Sequence, residues 1–488
     1  MLTPNSIPSG TTLLKPDPDE ETSLEWQLLD DNTSDDSGDE DREPMSQHDV
    51  ATAPLFTREA FQLTKGGRRV AQYGVLGKAI SAHHQDVVET FEDPRLYINT
   101  NAPFSAIICG VQGSGKSHTV STILENMLIS KFQPIGTLEK PLCGLVLHYG
   151  EGGNNALPNE TAWLSTSLSS LVKGPQVKVY VSRSSLQTMK RVYARFEGKV
   201  VVEPLLLQNS ELDAAAILSM MAVGSSESAP LYMQIILSIL RDLGETFTYK
   251  RFMEKLEISK QKFNPAQMTG LEQRLSLLNA FLDTKVSTSK QPRFKAGQLT
   301  IIDLSDPFLD SASACSLFEI VVRLFIRADV GTGKVLVVDE AHKYLSHDRT
   351  ASGLTKALLE LIRQQRHLGM RVLISTQGKA HYIFVSFYTS DKSFSSPNWW
   401  QHLIQHVPTD FSHSDAFDKV VKLQTGQAML LAASGIGVFT AADASDARES
   451  PDILASGKVL AHFGRRYLII KTRKRITADG GGSILVLS

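Results

Sequence analysis

Short unbroken apolar runs alternate along the chain with longer stretches whose apolar residues recur every third or fourth position. The runs Ser105–Cys109, LCGLVLHYG (142–150), VKVYVS (177–182), KVVVEPLLL (199–207), QLTIIDLSDPF (298–308) and RVLISTQ (371–377) predict buried strands, and VLVVDEAH (335–342) predicts a strand and then a loop. Helical spacing appears at Val120, Ile123, Leu124, Met127 and Leu128. It returns at Leu212, Ala216, Leu218 and Met221, and at Leu231, Ile235, Ile239 and Leu243. Ser313 to Ala328 predicts a further apolar-faced helix. So do Leu354, Leu358, Leu361, Ile362 and Leu368, with Gly369 where a C-terminal cap would stand. Strands alternating with helices predict an α/β fold whose mostly parallel sheet is covered on both faces.

The ends of the chain are patterned differently. Residues 70–100 predict short strands and turns. Val420 to Ala432 predicts a helix, SGIGVFTAA a strand, and GRRYLIIKTRKRIT a basic run read first as a solvated edge strand, with contact to phosphate backbones or a nuclear import patch as its alternatives. Residues 1–53 form an expected disordered acidic tail, because DDNTSDDSGDEDREP offers almost no apolar surface to offset its ordering entropy. The expected divisions are then 54–96, a strand-rich lead-in; 97–208, the first part of the core; 209–296, a helical insertion; 297–396, the second part; and 397–488, the rest of the core or a small appendage.

Composition adds three constraints. The formal net charge is −2, but residues 1–50 hold 14 acids and 2 bases, so the remainder is basic. An acidic tail on a basic body is compatible with a polyanionic partner such as DNA, and equally with a solubilising tail on a solvated surface. Cys109, Cys143 and Cys315 are odd in number and far apart, which fits a reducing compartment. No apolar run is long enough to cross a bilayer and no secretory signal opens the chain. The expectation is an intracellular protein, of cytoplasm or nucleus, with no membrane partner.

The chemistry begins at Gly110-Val111-Gln112-Gly113-Ser114-Gly115-Lys116-Ser117, which fits G-x-x-x-x-G-K-[ST], between a predicted strand and a predicted helix. Gly110, Gly113 and Gly115 would let the backbone turn tightly against an anion. Amides of Ser114 and its neighbours through His118, at the helix N-terminus, would face the phosphates. Lys116 would reach the β/γ-phosphates of ATP and the Ser117 hydroxyl would hold Mg²⁺. The second half of such a site needs acids. Only the strand ending at Asp339-Glu340 carries an adjacent pair, with Asp339 serving Mg²⁺ and Glu340 directing water; Asp303 ends another strand. Gly331-Thr332-Gly333-Lys334 precedes a strand rather than a helix and is expected to be a plain turn. Gln377 ends the strand after the acidic pair and is a candidate γ-phosphate sensor. Arg363 and Arg366 fall off the apolar stripe of their helix, to serve a neighbouring subunit or simply meet solvent.

The order of YINTNAPFSAIICGVQGSGKS, QLTIIDLSDPF, VLVVDEAHKYL, RQQRHLGM and LISTQ resembles the HerA/FtsK-like superfamily of P-loop ATPases, which includes DNA pumps and conjugation ATPases. The resemblance spans roughly residues 97–377. It implies a RecA-like P-loop NTPase core, usually hexameric, coupling ATP hydrolysis to movement of DNA or protein. It also implies Arg366 as a finger acting between subunits and Gln377 as a sensor. One departure follows Gln377, where GKAHYIFVSFYTSDKSFSSP replaces the family's proline-containing loop and helix. Two other expectations stand beside a motor: a nucleotide-gated switch with slow turnover, and a product impaired by that departure.

Overall fold

The computed structural model describes residues 45, 47–64, 70–153, 155–221, 231–283, 292–345, 353–377, 383–388, 422–424, 426–440 and 457–480. Expectations for the acidic tail through residue 44, for 378–382 and for Trp399 and Trp400 lie outside these residues.

Seventeen strands appear among the described residues. They are β1 (Leu55–Thr57), β2 (Tyr73–His84), β3 (Val87–Glu89), β4 (Arg95–Asn99), β5 (Ser105–Cys109), β6 (Gly136–Thr137), β7 (Cys143–His148), β8 (Gln176–Val181) and β9 (Val200–Pro204), then β10 (Gln298–Asp303), β11 (Lys334–Val338), β12 (Met370–Thr376), β13 (Ile383–Tyr388), β14 (Gln427–Leu431), β15 (Ile436–Thr440), β16 (Lys458–His462) and β17 (Tyr467–Thr472). Seven of them form an all-parallel run in the order β9-β8-β10-β7-β11-β12-β5. Parallel pairing puts every C-terminal strand end on one edge.

The apolar runs are unbroken because both faces of this sheet are covered. Successive residues alternate between two cores. Leu336 and Val338 of β11 and Val372 and Ile374 of β12 join one core. Val335, Val337 and Leu373 join the other. Helices Ser311–Arg327 and Gly353–Leu368 and the helices between Ala214 and Ala280 supply apolar residues to the first face. Helices Lys116–Leu128 and Leu186–Tyr193 supply the second. The decoy behaves as a turn: Gly331 takes φ +65° and Lys334 opens β11, donating to the Ile326 carbonyl.

Beyond β5 the sheet turns antiparallel. β13 pairs antiparallel with β5 and parallel with β14, and from β14 the strands β17, β2, β4 and β1 follow, each antiparallel to the last. Segments expected to be separate, the lead-in and the C-terminal part, therefore interleave. Phe56, Phe61 and Tyr97 pack with Ile436, Val438 and Leu460 in one cluster. Three local expectations are corrected. Helix Gln47–Thr52, with Val50 fully buried, lies inside the stretch expected to lack structure. Gln427–Leu431 is a strand, because its neighbours β13 and β17 offer ladder partners that local pattern could not anticipate. β17 is an interior strand between β14 and β2 rather than an edge.

Of the basic residues from Arg465 to Arg475, Arg466 and Arg475 are buried, Arg473 is half-buried, and Arg465, Lys471 and Lys474 are exposed. Arg466 lies over the Phe439 ring. Arg473 pairs with Glu125 on the P-loop helix at 2.7 Å and donates to the Val75 carbonyl. Glu125, itself fully buried, also accepts from the backbone of Ile476 and Thr477 and from the Thr477 hydroxyl. Among the described residues no helix is long and apolar enough to cross a membrane. All of them belong to one compact unit, Pro44–Ser488.

Removing one partner of a buried ion pair strands the other charge, which costs about 3–5 kcal/mol. Glu125→Ala should lower the unfolding free energy by that order, read as a lower urea midpoint, because Arg473 and Arg475 lose their shared carboxylate.

Candidate functional site

The glycine loop sits where β5 ends and helix Lys116–Leu128 begins. Gly113 and Gly115 take φ +79° and +99°, backbone that a side chain disfavours, and a Cβ on Gly113 would meet open space. That space is the loop's free side. Gly110 works differently: its amide donates to the Thr376 carbonyl, tying the loop to the end of β12. The Lys116 ammonium donates to the Val111 carbonyl at 3.0 Å, so it lies within the loop. The first N–H groups of the helix have no partner inside it, and the buried Ser114 hydroxyl is also without one.

Asp339 and Glu340 follow β11, separated from β5 by β12 alone. Burial pushes Lys116 below the usual lysine range, while Glu340 and then Asp339 pull it back up. The cation and both carboxylates thus share one field. Asp339 Oδ2 meets His148 Nδ1 at 3.1 Å and accepts from Asn159 Nδ2 at 2.8 Å. Burial works to raise this carboxyl, but the His148 contact and charge, the Asn159 bond and the Glu340 backbone amide hold it below its ordinary range. Burial works to lower His148; its hydrogen bond to Asp339 and the charges of Asp303 and Asp339 outweigh that and raise it.

Glu340 takes φ 50°, ψ 42°, the left-handed region that costs a non-glycine residue about 1–3 kcal/mol. The turn swings its carboxylate off the line of β11. Gln377 Nε2 donates to Glu340 Oε2 at 3.1 Å, and His342 and Lys343 lie 3.4 and 3.9 Å from the same oxygen. The Gln377 amide in turn donates to His342 Nδ1. One strand edge therefore gathers Lys116, Asp339, Glu340 and Gln377.

Three named residues stand elsewhere. His118 is turned to the C-terminal segment, with Nε2 2.8 Å from the Arg473 carbonyl and Nδ1 3.4 Å from Asp479. Arg366 and Arg363 are exposed on helix Gly353–Leu368, as their helical angle predicts. Cys109 next to the loop is half-buried, and desolvation pushes its thiol up to about 12 against the pull of Lys116.

Sequence reasoning missed His148 and Asn159. His148 had a signal: it ends β7 as Asp303 ends β10, a polar residue closing an apolar run. Asn159 had none, since it lies in a loop that only folding returns to β11.

The donors suit magnesium and a nucleotide. Ser117 and Asp339 offer hard oxygens, as magnesium prefers, and the loop offers the unpartnered Ser114 hydroxyl beside a lysine. The parallel sheet, glycine loop and opposed carboxylates are together compatible with a P-loop nucleoside-triphosphatase fold. No family model matches the sequence, and no curated protein does. Among solved structures, the chain is similar to VirB4 of Thermoanaerobacter pseudethanolicus, with 12% identity over 82% of this chain and 96% of that one, at a TM-score of 0.38. A likeness of that size lends no weight to any function, so the function rests on the site's own residues.

His148 is raised from 6.5, so its contribution to stability is whole below pH 6.5 and is lost as pH climbs through the raised value. Asp339 is lowered from 3.8, so its contribution is present above pH 3.8 and is lost as pH falls through the lowered value. The pair is strongest between those ordinary values. The melting-temperature gap between wild type and His148→Gln should therefore be widest near pH 5 and narrow above pH 6.5, measured by thermal unfolding across pH.

Proposed function

We propose that this chain is a magnesium-dependent ATPase. The observation that carries the proposal is the placement of Lys116, after β5, and of Asp339 and Glu340, after β11, at one edge of a parallel sheet with β12 alone between them. Amides from Gly113 to His118 bind the phosphates while Gly110 ties the loop to β12, and Lys116 leaves the Val111 carbonyl for the β/γ-phosphate oxygens. Ser117 and Asp339 would hold Mg²⁺, directly or through its waters. Bound magnesium supplies charge neutralisation for the departing phosphate. Glu340 orients the attacking water and accepts its proton. Gln377, bonded to Glu340, reports the γ-phosphate by moving that carboxylate.

The motor belongs to the same proposal. Its support is the resemblance of motif order to HerA/FtsK-type ATPases, together with the exposure of Arg366 on its helix, where a neighbouring subunit can receive it as a finger. The assembly is then a homo-oligomer, a hexamer in the family's usual form, acting on DNA. A nucleotide-gated switch with slow turnover is the second reading. It is favoured by Glu340 being engaged by Gln377, His342 and Lys343, contacts that restrain a base.

Two measurements decide. Lys116→Ala should abolish ATP binding. Glu340→Gln should keep binding and lose steady-state turnover by roughly 100-fold or more, the scale of a general base; a change within about threefold would favour the switch. If DNA is the substrate, filter binding should weaken steeply as salt rises, since released counterions drive phosphate contacts. No binding at low salt removes DNA and leaves the ATPase standing.

A further inference from the structure

Asn159 is 3% exposed and every polar atom of its side chain is committed. Its Oδ1 accepts from the Thr161 amide at 3.0 Å and from the Thr161 hydroxyl, capping the short helix Glu160–Ser165. That demand settles the amide's orientation, since an oxygen must face the Thr161 donors. Nδ2 is thereby aimed at Asp339 Oδ2, 2.8 Å away. The backbone is held as well. The Asn159 amide donates to the Tyr193 hydroxyl at 3.1 Å, and that hydroxyl donates to Asp303 at 2.7 Å. Asp303 is fully buried at the end of β10. The loop is anchored on its far side by the amide of Ala478 donating to Thr166 and that of Leu168 donating to Ile476.

We infer that Asn159 is a positioning residue for Asp339: it fixes the rotation of the carboxylate that is to hold the magnesium water shell. The inference rests on the proposed function for the identity of the ion. Asp339 stands on a turn after β11, and a carboxylate with a free torsion would sample orientations useless to a metal. Asn159 and His148 meet the same Oδ2, so the ring and the amide together lock that torsion. Asp303 needs no metal role here. It serves through Tyr193 as the far anchor of the chain Asp303–Tyr193–Asn159–Asp339.

The test separates positioning from folding. Asn159→Ser keeps a hydroxyl able to cap the Thr161 amide but is too short to reach Asp339. Fluorescent mant-ATP is titrated into the full-length chain, first without magnesium and then over a magnesium series. Wild type should bind weakly without magnesium and tighter with it. Asn159→Ser should bind equally without magnesium, while the magnesium concentration giving half the gain rises about tenfold, the scale seen when a group behind a metal ligand is lost. Asn159→Thr, which carries the same capping hydroxyl, should behave alike and replaces the serine variant if that one fails to fold. An unchanged magnesium midpoint in a folded variant overturns the positioning role and leaves the ATPase reading intact. So does equal weakening with and without magnesium, which marks a structural residue. No magnesium gain in wild type overturns the ATPase reading and this inference with it.

Discussion

Parallel strand pairing is the constraint on which the site depends. It sends the C-terminal ends of β5, β7, β10, β11 and β12 to one edge, and each of those ends carries a group that a nucleotide site can use. A buried ammonium is costly unless an opposite charge faces it. The carboxylates of Glu340 and Asp339 supply that charge for Lys116 across the width of one strand. β12 sets the spacing, so its last residues lie between cation and anions. Gln377 falls there for the same reason, and its bond to Glu340 follows from its place.

A second layer stiffens the first. His148 and Asn159 lock Asp339, and Tyr193 with Asp303 locks Asn159. On the other side, the segment after β17 grips the P-loop helix through Glu125, Asn126 and His118. The same segment bonds to the strip from Thr166 to Leu168, just beyond the Asn159 turn. One stretch of backbone, Arg473 to Ala478, therefore touches the supports of both halves of the site. β17, from which it emerges, belongs to the antiparallel sheet shared by the lead-in and the C-terminal part, so a shift in that sheet has a direct path to the P-loop helix. Glu125, held by that segment, and Lys116, at the loop, are about two and a half turns apart on one helix.

Most of the parallel core was legible in sequence, because a strand buried on both faces reads as an unbroken apolar run whatever its neighbours. Ser105–Cys109, Lys334–Val338 and Met370–Thr376 fall within a residue or two of the runs that predicted them. Helices Lys116–Leu128 and Gly353–Leu368 follow from apolar spacing for the same local reason, since each buries one stripe. The antiparallel part was not legible. Gln427–Leu431 has no periodicity that separates strand from helix, and its partners lie at Ile383–Tyr388 and Tyr467–Thr472. The arginines after Thr472 look alike in sequence, yet Arg473 and Arg475 pack against Glu125, some 350 residues earlier.

Local chemistry in the chain settles that a glycine-rich turn joins a strand to a helix and that an acidic pair closes another strand, because glycine spacing and residue type are properties of neighbours. It does not settle which strands lie side by side, which helix face a distant carboxylate enters, or which amide turns toward Asp339. Those depend on pairing and packing between segments far apart in the chain, and they exist only once the sheet has closed around them. Asn159 is the clearest case: in sequence a loop asparagine, in the fold the donor nearest the candidate magnesium carboxylate.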